Sequence, residues 1–335
     1  MRLVTLDDFK QAQSRLKAIA TRTPLVQCHL QNDARQLWFK PESFQPIGSF
    51  KLRGAYNMIS CLPVEDRQRG VISYSSGNHA QGVAYAARAL GVKATIVMPS
   101  NAPKVKVDST ASYGAEIVMV GPGSHERRAK AEELAAEHGY AIVPPYNDER
   151  IIAGAGTVGI EIAEDMPDVE VLLVPIGGGG LISGTATALK LSRPGVKVVG
   201  VEPELASDAQ ASFRADKIVE FSAADVSRTI ADGLRTQSLG TINFEHIRKY
   251  VDDIVTVTEE EIRAAVRRMA TTAKLVAEPS GAVTFAAFLF HGHELPKAKR
   301  HVAVISGGNI EPGVLAEIIE GSAPEVTPAA RFTNP

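Results

Sequence analysis

Between Val71 and Pro145 the chain alternates short apolar, β-branched runs with helix-like stretches, and this alternation restricts the fold more than any other feature. VISYS reads as a buried strand and HAQGVAYAARAL as a helix of small residues ended by Gly91. ATIVMP is a strand, Lys104 to Tyr113 a helix and EIVMV a strand; a charged helix then runs through His138 and AIVPP closes the series. Strands separated by helices need right-handed crossovers, and those build a parallel sheet with helices on its faces. The rhythm resumes after the loop YNDER with VEVLLVPI, LISGTATALKL and VKVVGVEP. Glu259 to Leu275 then reads as a helix with Ile262, Val266, Met269 and Ala273 on one face, and HVAVIS is a last buried strand. Ahead of all this, Thr5 with Asp7 and Asp8 reads as a helix cap with an acidic first turn, leading into an apolar face of Phe9, Leu16 and Ile19. The tail from Gly321, rich in Pro and Ala, is expected to fray. With 335 residues, two α/β lobes follow.

Several function classes drop out on composition. Thirty-six Lys and Arg against 38 Asp and Glu give a net charge of -2 with no long block of one sign, which argues against a nucleic-acid or anionic-membrane surface. Cys28 and Cys61 cannot make a disulfide framework, and no CxxC or HExxH spacing offers a zinc site. The start MRLVTLDDFK turns acidic too early for a signal peptide, and no apolar run reaches the roughly 18 residues of a membrane span. A cytoplasmic enzyme is expected.

Four consecutive glycines, Gly177 to Gly180, lie between a strand and a helix. Bare backbone there lets several N–H groups converge on an anion at the positive end of the helix, so a phosphate fits. One glycine would serve a tight turn, and GxxxxGK[ST], the mark of an NTPase, is missing. Gly154, Gly156 and Gly159 in GAGTVG match the dinucleotide fingerprint, but no strand precedes them and no acid closes the next strand. Close helix packing through small residues is the better reading, which leaves a nicotinamide oxidoreductase remote. Lys51, between Phe50 and Leu52, is expected to be partly desolvated, which lowers its pKa and makes its amine a nucleophile. A desolvated lysine with a phosphate cradle suggests a Schiff base to pyridoxal phosphate. SSGNH, Ser75 to His79, joins a strand to a helix and has the groups to hold a carboxylate, or simply to cap that helix. SGGN, Ser306 to Asn309, follows the last strand, at the carboxyl end where open α/β sheets bind ligands.

Taken together, ESFQPIGSFKLRGAYN, SSGNHAQGVA, PPYND, IAGAGTVGIEI, VPIGGGGLISG, TIADGL, EPSGA and SGGN resemble the motifs, in order, of the fold-type-II pyridoxal-phosphate (PLP) enzymes. The similarity is to the serine racemase and threonine/serine dehydratase family and runs from about Thr23 to Ile310. It implies a two-lobed, three-layer αβα fold of tryptophan-synthase-β type, with a large PLP domain of residues 1–65 and 147–335 and a small domain of residues 66–146. It implies that Lys51 is the Schiff-base lysine and Cα acid/base, with Phe50 against the ring. Gly177, Gly178, Gly179, Gly180 and Leu181 would hold the phosphate. Asn78, with Asn147 nearby, would meet the ring's phenolic oxygen, and Gly233 would line the pocket. Ser75, Asn78 and His79 would grip the substrate carboxylate. Ser306 would face the ring nitrogen. A neutral hydroxyl there leaves the ring a weaker electron sink, which favours loss of a β-leaving group over transamination.

The implied reaction is removal of water and ammonia from serine, threonine or 3-hydroxyaspartate through an aminoacrylate to a 2-keto acid. Amino-acid racemisation is the alternative; β-replacement, as in cysteine synthase, fits the Lys51 and Ser306 motifs less well, and intact Lys51 argues against a non-enzymatic relative. Two details lean toward the racemase branch. Ser76 stands where the racemases place an acid/base on the opposite face, and Glu202, Ala206 and Asp208 match their divalent-metal site for Mg²⁺, Ca²⁺ or Mn²⁺. Without the resemblance that cluster is a solvated acidic loop. GPGSHERRAK departs from the racemase pattern at the active-site mouth, with His125 and Glu126 followed by Arg127 and Arg128. Its cations, His125 first, could accept the second carboxylate of 3-hydroxyaspartate or simply begin an exposed helix. The family also implies a homodimer. The chain ends soon after SGGN, so no regulatory domain and no isoleucine feedback are expected.

Overall fold

The computed structural model describes residues 2–29, 35–75, 77–102, 104–121 and 124–321. Ser76 and the tail beyond Gly321 therefore lie outside the described residues. The strands are β1 (Val26–Cys28), β2 (Gln36–Pro41), β3 (Val71–Tyr74), β4 (Ala94–Pro99), β5 (Glu116–Val120), β6 (Ala141–Ile142), β7 (Val171–Pro175), β8 (Lys197–Pro203), β9 (Asp253–Val257) and β10 (Arg300–Ile305). The helices are α1 (Leu6–Leu16), α2 (Lys51–Ser60), α3 (Val64–Arg69), α4 (Asn78–Ala89), α5 (Lys104–Ser112), α6 (Ser124–His138), α7 (Glu149–Asp165) and α8 (Gly180–Ser192). They continue with α9 (Asp208–Ala215), α10 (Ala223–Val226), α11 (Thr241–Tyr250), α12 (Glu259–Arg268), α13 (Pro279–Phe290) and α14 (Pro312–Glu320).

Two sheets result. One has the order β1-β2-β10-β7-β8-β9 and the other β5-β4-β3-β6. Among the described strands every pairing is parallel except β1 with β2, as the crossover pattern requires. Alternate residues of each strand enter opposite layers. Leu173 and Ala303 pack with α12 and α13, whereas Leu172 and Val302 pack with α7, α8 and α11. In the smaller sheet Ile96 and Met98 face the α2/α4 side, and Ile72 and Val97 face Ala131 of α6. This is the three-layer αβα arrangement of the sequence reading.

Local chemistry explains most boundaries. Thr5 caps α1 in a capping box with Asp8. AIVPP yields only the short β6, because Pro144 and Pro145 have no N–H to give a ladder. The charged YNDER segment is the start of a helix: the Asp148 side chain accepts from the Arg150 N–H and caps α7. GAGTVG lies in the middle of α7, and a Cβ at Gly154, Gly156 or Gly159 would fall 2.2–2.5 Å from Arg53, Phe9 or Thr185. Those glycines are packing surfaces, as expected. Two features depart from the sequence reading. β1, β2 and β9 were not foreseen, being short or flanked by polar residues. The helix from Glu259 also stops being α-helical at Arg268: Met269–Ala273 form a π-helical turn, and Lys274 takes a left-handed conformation at φ +60.

Parallel order decides where chemistry can gather. β2, β10, β7 and β8 are parallel neighbours, so their carboxyl ends share one edge. The segments leaving that edge carry Lys51, Ser306, Gly177–Gly180 and the Glu202–Asp208 turn.

Candidate active site

Lys51 begins α2, and its Nζ donates to the Pro145 carbonyl at 2.9 Å. Burial pushes this amine down to about 8, and the Glu278 carboxylate partly opposes the shift. The next residue after Pro145 connects lysine to glycines. An added Cβ at Gly178 would lie 2.3–2.5 Å from three atoms of the Tyr146 ring, and one at Gly180 would meet Tyr146 Cβ at 3.0 Å. Pro145 and Tyr146 thus bridge the amine to the glycine run. Within that run Gly179 is left-handed at φ +92 and is the N-cap of α8, a conformation that suits glycine. Leu181 buries its side chain in the core, so only its backbone is available to an anion. Bare backbone at a helix N-terminus, too tight for side chains, fits a phosphate.

The remaining expected residues surround this point. Phe50 donates its N–H to the Ser306 carbonyl at 3.0 Å, which sets its ring beside Lys51, 5.2 Å from Nζ to the ring centroid. Gly233 donates to Ser280 Oγ at 2.9 Å, and its carbonyl would lie 3.3 Å from a Cβ at Gly177. Asn78 opens α4 from the other sheet; its Nδ2 donates to Glu278 Oε1 at 2.7 Å and its Oδ1 accepts from Asn309 Nδ2 at 2.7 Å. Ser75 Oγ accepts the Gly77 N–H at 3.3 Å.

With 292 of its residues, 16–307, the chain matches the family model described as "Pyridoxal-phosphate dependent enzyme". The chain belongs to this family. It is 43% identical over 319 residues to the L-threo-3-hydroxyaspartate ammonia-lyase of Saccharomyces cerevisiae, covering 95% of this chain and 97% of the relative. It is 41% identical over 311 residues to the serine racemase of Schizosaccharomyces pombe, covering 92% and 95%. Among solved structures, maize serine racemase superposes with a TM-score of 0.90 at 36% identity, covering 94% of this chain and 97% of that one.

In this PLP-family protein three of the expected site residues, His79, Asn147 and His125, have distinct surroundings. The His79 ring is buried with Nε2 3.0 Å from the Val143 carbonyl; burial, then the Lys51 charge, push it down to about 3. A neutral imidazole so engaged is no cationic clamp, and what His79 can offer a carboxylate is its backbone N–H in the first turn of α4. Asn147 Oδ1 accepts the Ile242 N–H at 3.0 Å and Nδ2 donates to Thr241 Oγ1 at 3.3 Å, so its amide is engaged by the start of α11. His125 is exposed in the first turn of α6. From that helix it is Arg128 whose charge acts on the Tyr74 and Tyr146 hydroxyls, although it also pairs with Glu132.

Glu202 and Asp208 do come together, fully buried, at the carboxyl end of β8, with Ala206 between them in a single 3₁₀ turn. Glu202 accepts the N–H groups of Ala209 and Gln210 at 3.0 and 2.8 Å, and both Asp208 oxygens are buried without a protein partner among the described residues. Burial and the facing Asp208 raise the Glu202 carboxyl well above its usual range. Among the described residues no three His, Cys, Asp or Glu side chains converge on one point. Two carboxylates, a backbone carbonyl and water are nonetheless a donor set for a hard cation.

Glu278 escaped the sequence reading except as a letter of EPSGA. It is 4% exposed and faces Asn78. Burial pushes its carboxyl up to about 7, Asp232 adds to the rise, and Asn78, Lys106 and the Asn309 N–H oppose it. Local sequence held no signal, since the residue that explains Glu278 lies 200 positions away.

Proposed function

We propose that the protein is a PLP-dependent ammonia-lyase that converts 3-hydroxyaspartate to a 2-keto acid, with serine and threonine as lesser substrates. The observation that carries the reaction class is the desolvated Lys51 amine, joined through Pro145 and Tyr146 to the glycine loop. Likeness to the yeast 3-hydroxyaspartate enzyme supports the substrate. When bound, PLP supplies the electron sink that makes the Cα–H bond acidic. Gly177–Gly180 with the N-terminus of α8 would hold its phosphate, and Phe50, Ser306 and Asn78 would hold its ring. Lys51 Nζ, with the Pro145 carbonyl as its resting partner, takes the Cα proton. The β-hydroxyl leaves as water with the proton that Lys51 took from Cα, and the released enamine takes up water to give keto acid and ammonia. Ser75, Asn78 and the first-turn N–H groups of α4 receive the α-carboxylate. Arg128, whose charge reaches Tyr146 above the glycine loop, is the cation for the second carboxylate.

The division into a large domain, 1–65 and 147–335, and a small one, 66–146, belongs to this proposal, as do a cytoplasmic homodimer and a divalent cation on Glu202, Ala206 and Asp208. The orphaned Asp208 carboxylate supports the cation. Among the described residues no helix is long and apolar enough to cross a membrane. Likeness to serine racemases keeps racemisation as the second reading, with Ser76 as its residue.

The test is keto-acid and enantiomer analysis of PLP-loaded protein with 3-hydroxyaspartate, serine and threonine isomers. Oxaloacetate and ammonia from 3-hydroxyaspartate, abolished in Lys51→Ala, support the proposal. Enantiomer without keto acid moves the assignment to racemase. Arg128→Ala should raise KM for 3-hydroxyaspartate at least tenfold more than for serine; equal effects would remove Arg128 from the substrate site.

A further inference from the structure

Asn78 can meet the ring oxygen as a donor only if its amide points one way, and three residues determine that direction. The Ile47 carbonyl can only accept, so the Asn309 atom 2.9 Å from it is Nδ2. That nitrogen has a second hydrogen, and it donates to Asn78 Oδ1 at 2.7 Å. The Asn78 nitrogen therefore points the opposite way, and one of its hydrogens goes to Glu278 Oε1 at 2.7 Å. One N–H remains for a ligand.

Glu278 is placed for this purpose at some local cost. It is the N-cap residue of α13, a position where Ser, Thr, Asp or Asn would turn back on the helix, and its longer side chain makes no capping bond. It reaches the other sheet instead. Gly307 leaves the space: a Cβ there would lie 2.4 Å from Glu278 Oε1. The π-helical turn Met269–Ala273 and the left-handed Lys274 stand just upstream of the segment that delivers it. Glu278 is also the carboxylate whose charge acts on Lys51.

We infer that Glu278 is a positioning residue for the cofactor: its Oε1, opposed by the Ile47–Asn309 chain, locks the Asn78 amide so that a single N–H faces the ring oxygen of PLP. The inference rests on the proposed role of Asn78, and its test separates the two. Glu278→Gln keeps the reach and the acceptor while removing the charge. Glu278→Asp keeps the charge and withdraws the acceptor by one methylene. Both are milder than truncation, and melting of each apoprotein reports folding.

PLP affinity of each apoprotein is measured by equilibrium dialysis, together with the visible absorption maximum of the bound cofactor. Glu278→Gln should bind PLP within about threefold of the wild type with an unshifted spectrum; Glu278→Asp should bind about tenfold more weakly with a shifted maximum, the scale of one charge-assisted hydrogen bond. The reverse order would show that charge matters rather than amide orientation, and overturns the inference. Unchanged binding and spectrum in both variants overturn it as well. Asn78→Ala run alongside identifies the other failure: if it too leaves affinity and spectrum untouched, Asn78 does not meet the ring and the reading beneath the inference is wrong.

Discussion

An ordinary lysine side chain has a pKa of 10.5, whereas burial brings Lys51 down to about 8. The chemical consequence can be worked out. At pH 7.5 a group titrating near 8 is neutral in about one molecule in four, while one titrating at 10.5 is neutral in about one in a thousand, a gap of roughly 240-fold in free amine. Covalent capture of PLP needs the neutral amine, so its rate on the apoprotein should rise about tenfold per pH unit below 8 and then level off. A solvated lysine would keep gaining to beyond pH 10. Stopped-flow mixing of apoprotein with PLP from pH 6 to 10.5 gives the profile, corrected with a model amine for the titration of PLP itself. Borohydride reduction and peptide mapping must locate the label on Lys51. Glu278 raises the Lys51 value, so Glu278→Gln should move the midpoint to lower pH. A wild-type profile that tracks the model amine to pH 10 would refute the desolvation argument, whatever the enzyme catalyses.

Other consequences follow from burial and fit. Arg53, two residues beyond Lys51, donates to both oxygens of Glu42 and of Glu161, to Thr157 Oγ1 and to the Thr21 carbonyl; Arg53→Met leaves buried Glu161 with Lys40 and buried Glu42 with only the neutral donors Thr23 and Gln45, and should cost about 3–5 kcal/mol in apoprotein unfolding. A loss under about 1 kcal/mol would put this network on a par with a surface pair. Gly178→Val drives a side chain into the Tyr146 ring and should weaken PLP binding at least tenfold in dialysis while far-ultraviolet circular dichroism is kept; unaltered affinity would detach the loop from the phosphate. Mg²⁺ should raise the melting temperature of the wild type, by the equivalent of about 2.7 kcal/mol at a hundred times its Kd, and leave Asp208→Ala unmoved. An equal rise in both proteins would place the ion elsewhere.

How much of this was legible in advance varies with the range of the interactions involved. Thr5 and Asp8 lie three residues apart, and the helix they start could be read from them. The glycine run was readable as bare backbone leading into a helix N-terminus because that chemistry is local, and Gly179 is the N-cap of α8. GAGTVG was readable as packing because no strand precedes it, and α7 pressed against Arg53, Phe9 and Thr185 bears that out. Where partners are distant they could not be read in advance: the Val143 carbonyl meets the His79 ring from 64 positions away, and the start of α11 engages the Asn147 amide from 94 and 95 positions away. The break at Arg268 was hidden because a π turn keeps the apolar face of α12 nearly continuous through Met269.

The amino-acid sequence by itself determined the α/β class and the parallel pairing, and it singled out Lys51 and the glycine loop as the residues with the chemistry to meet a cofactor. Periodicity, capping and turn chemistry act over a few residues, and family motifs are recognised letter by letter. Only the tertiary structure decided which side chains complete the site. Parallel stacking of β2, β10, β7 and β8 gathers Lys51, Ser306, Gly177–Gly180 and Glu202–Asp208 on one edge. Docking of α4 against that edge then brings Asn78 to Glu278 and Asn309, residues 200 and 231 positions away along the chain. Burial of Lys51 and Glu278, which sets their proton affinities, exists only once both sheets have closed around them, because desolvation is a property of the packed surroundings and not of the residue.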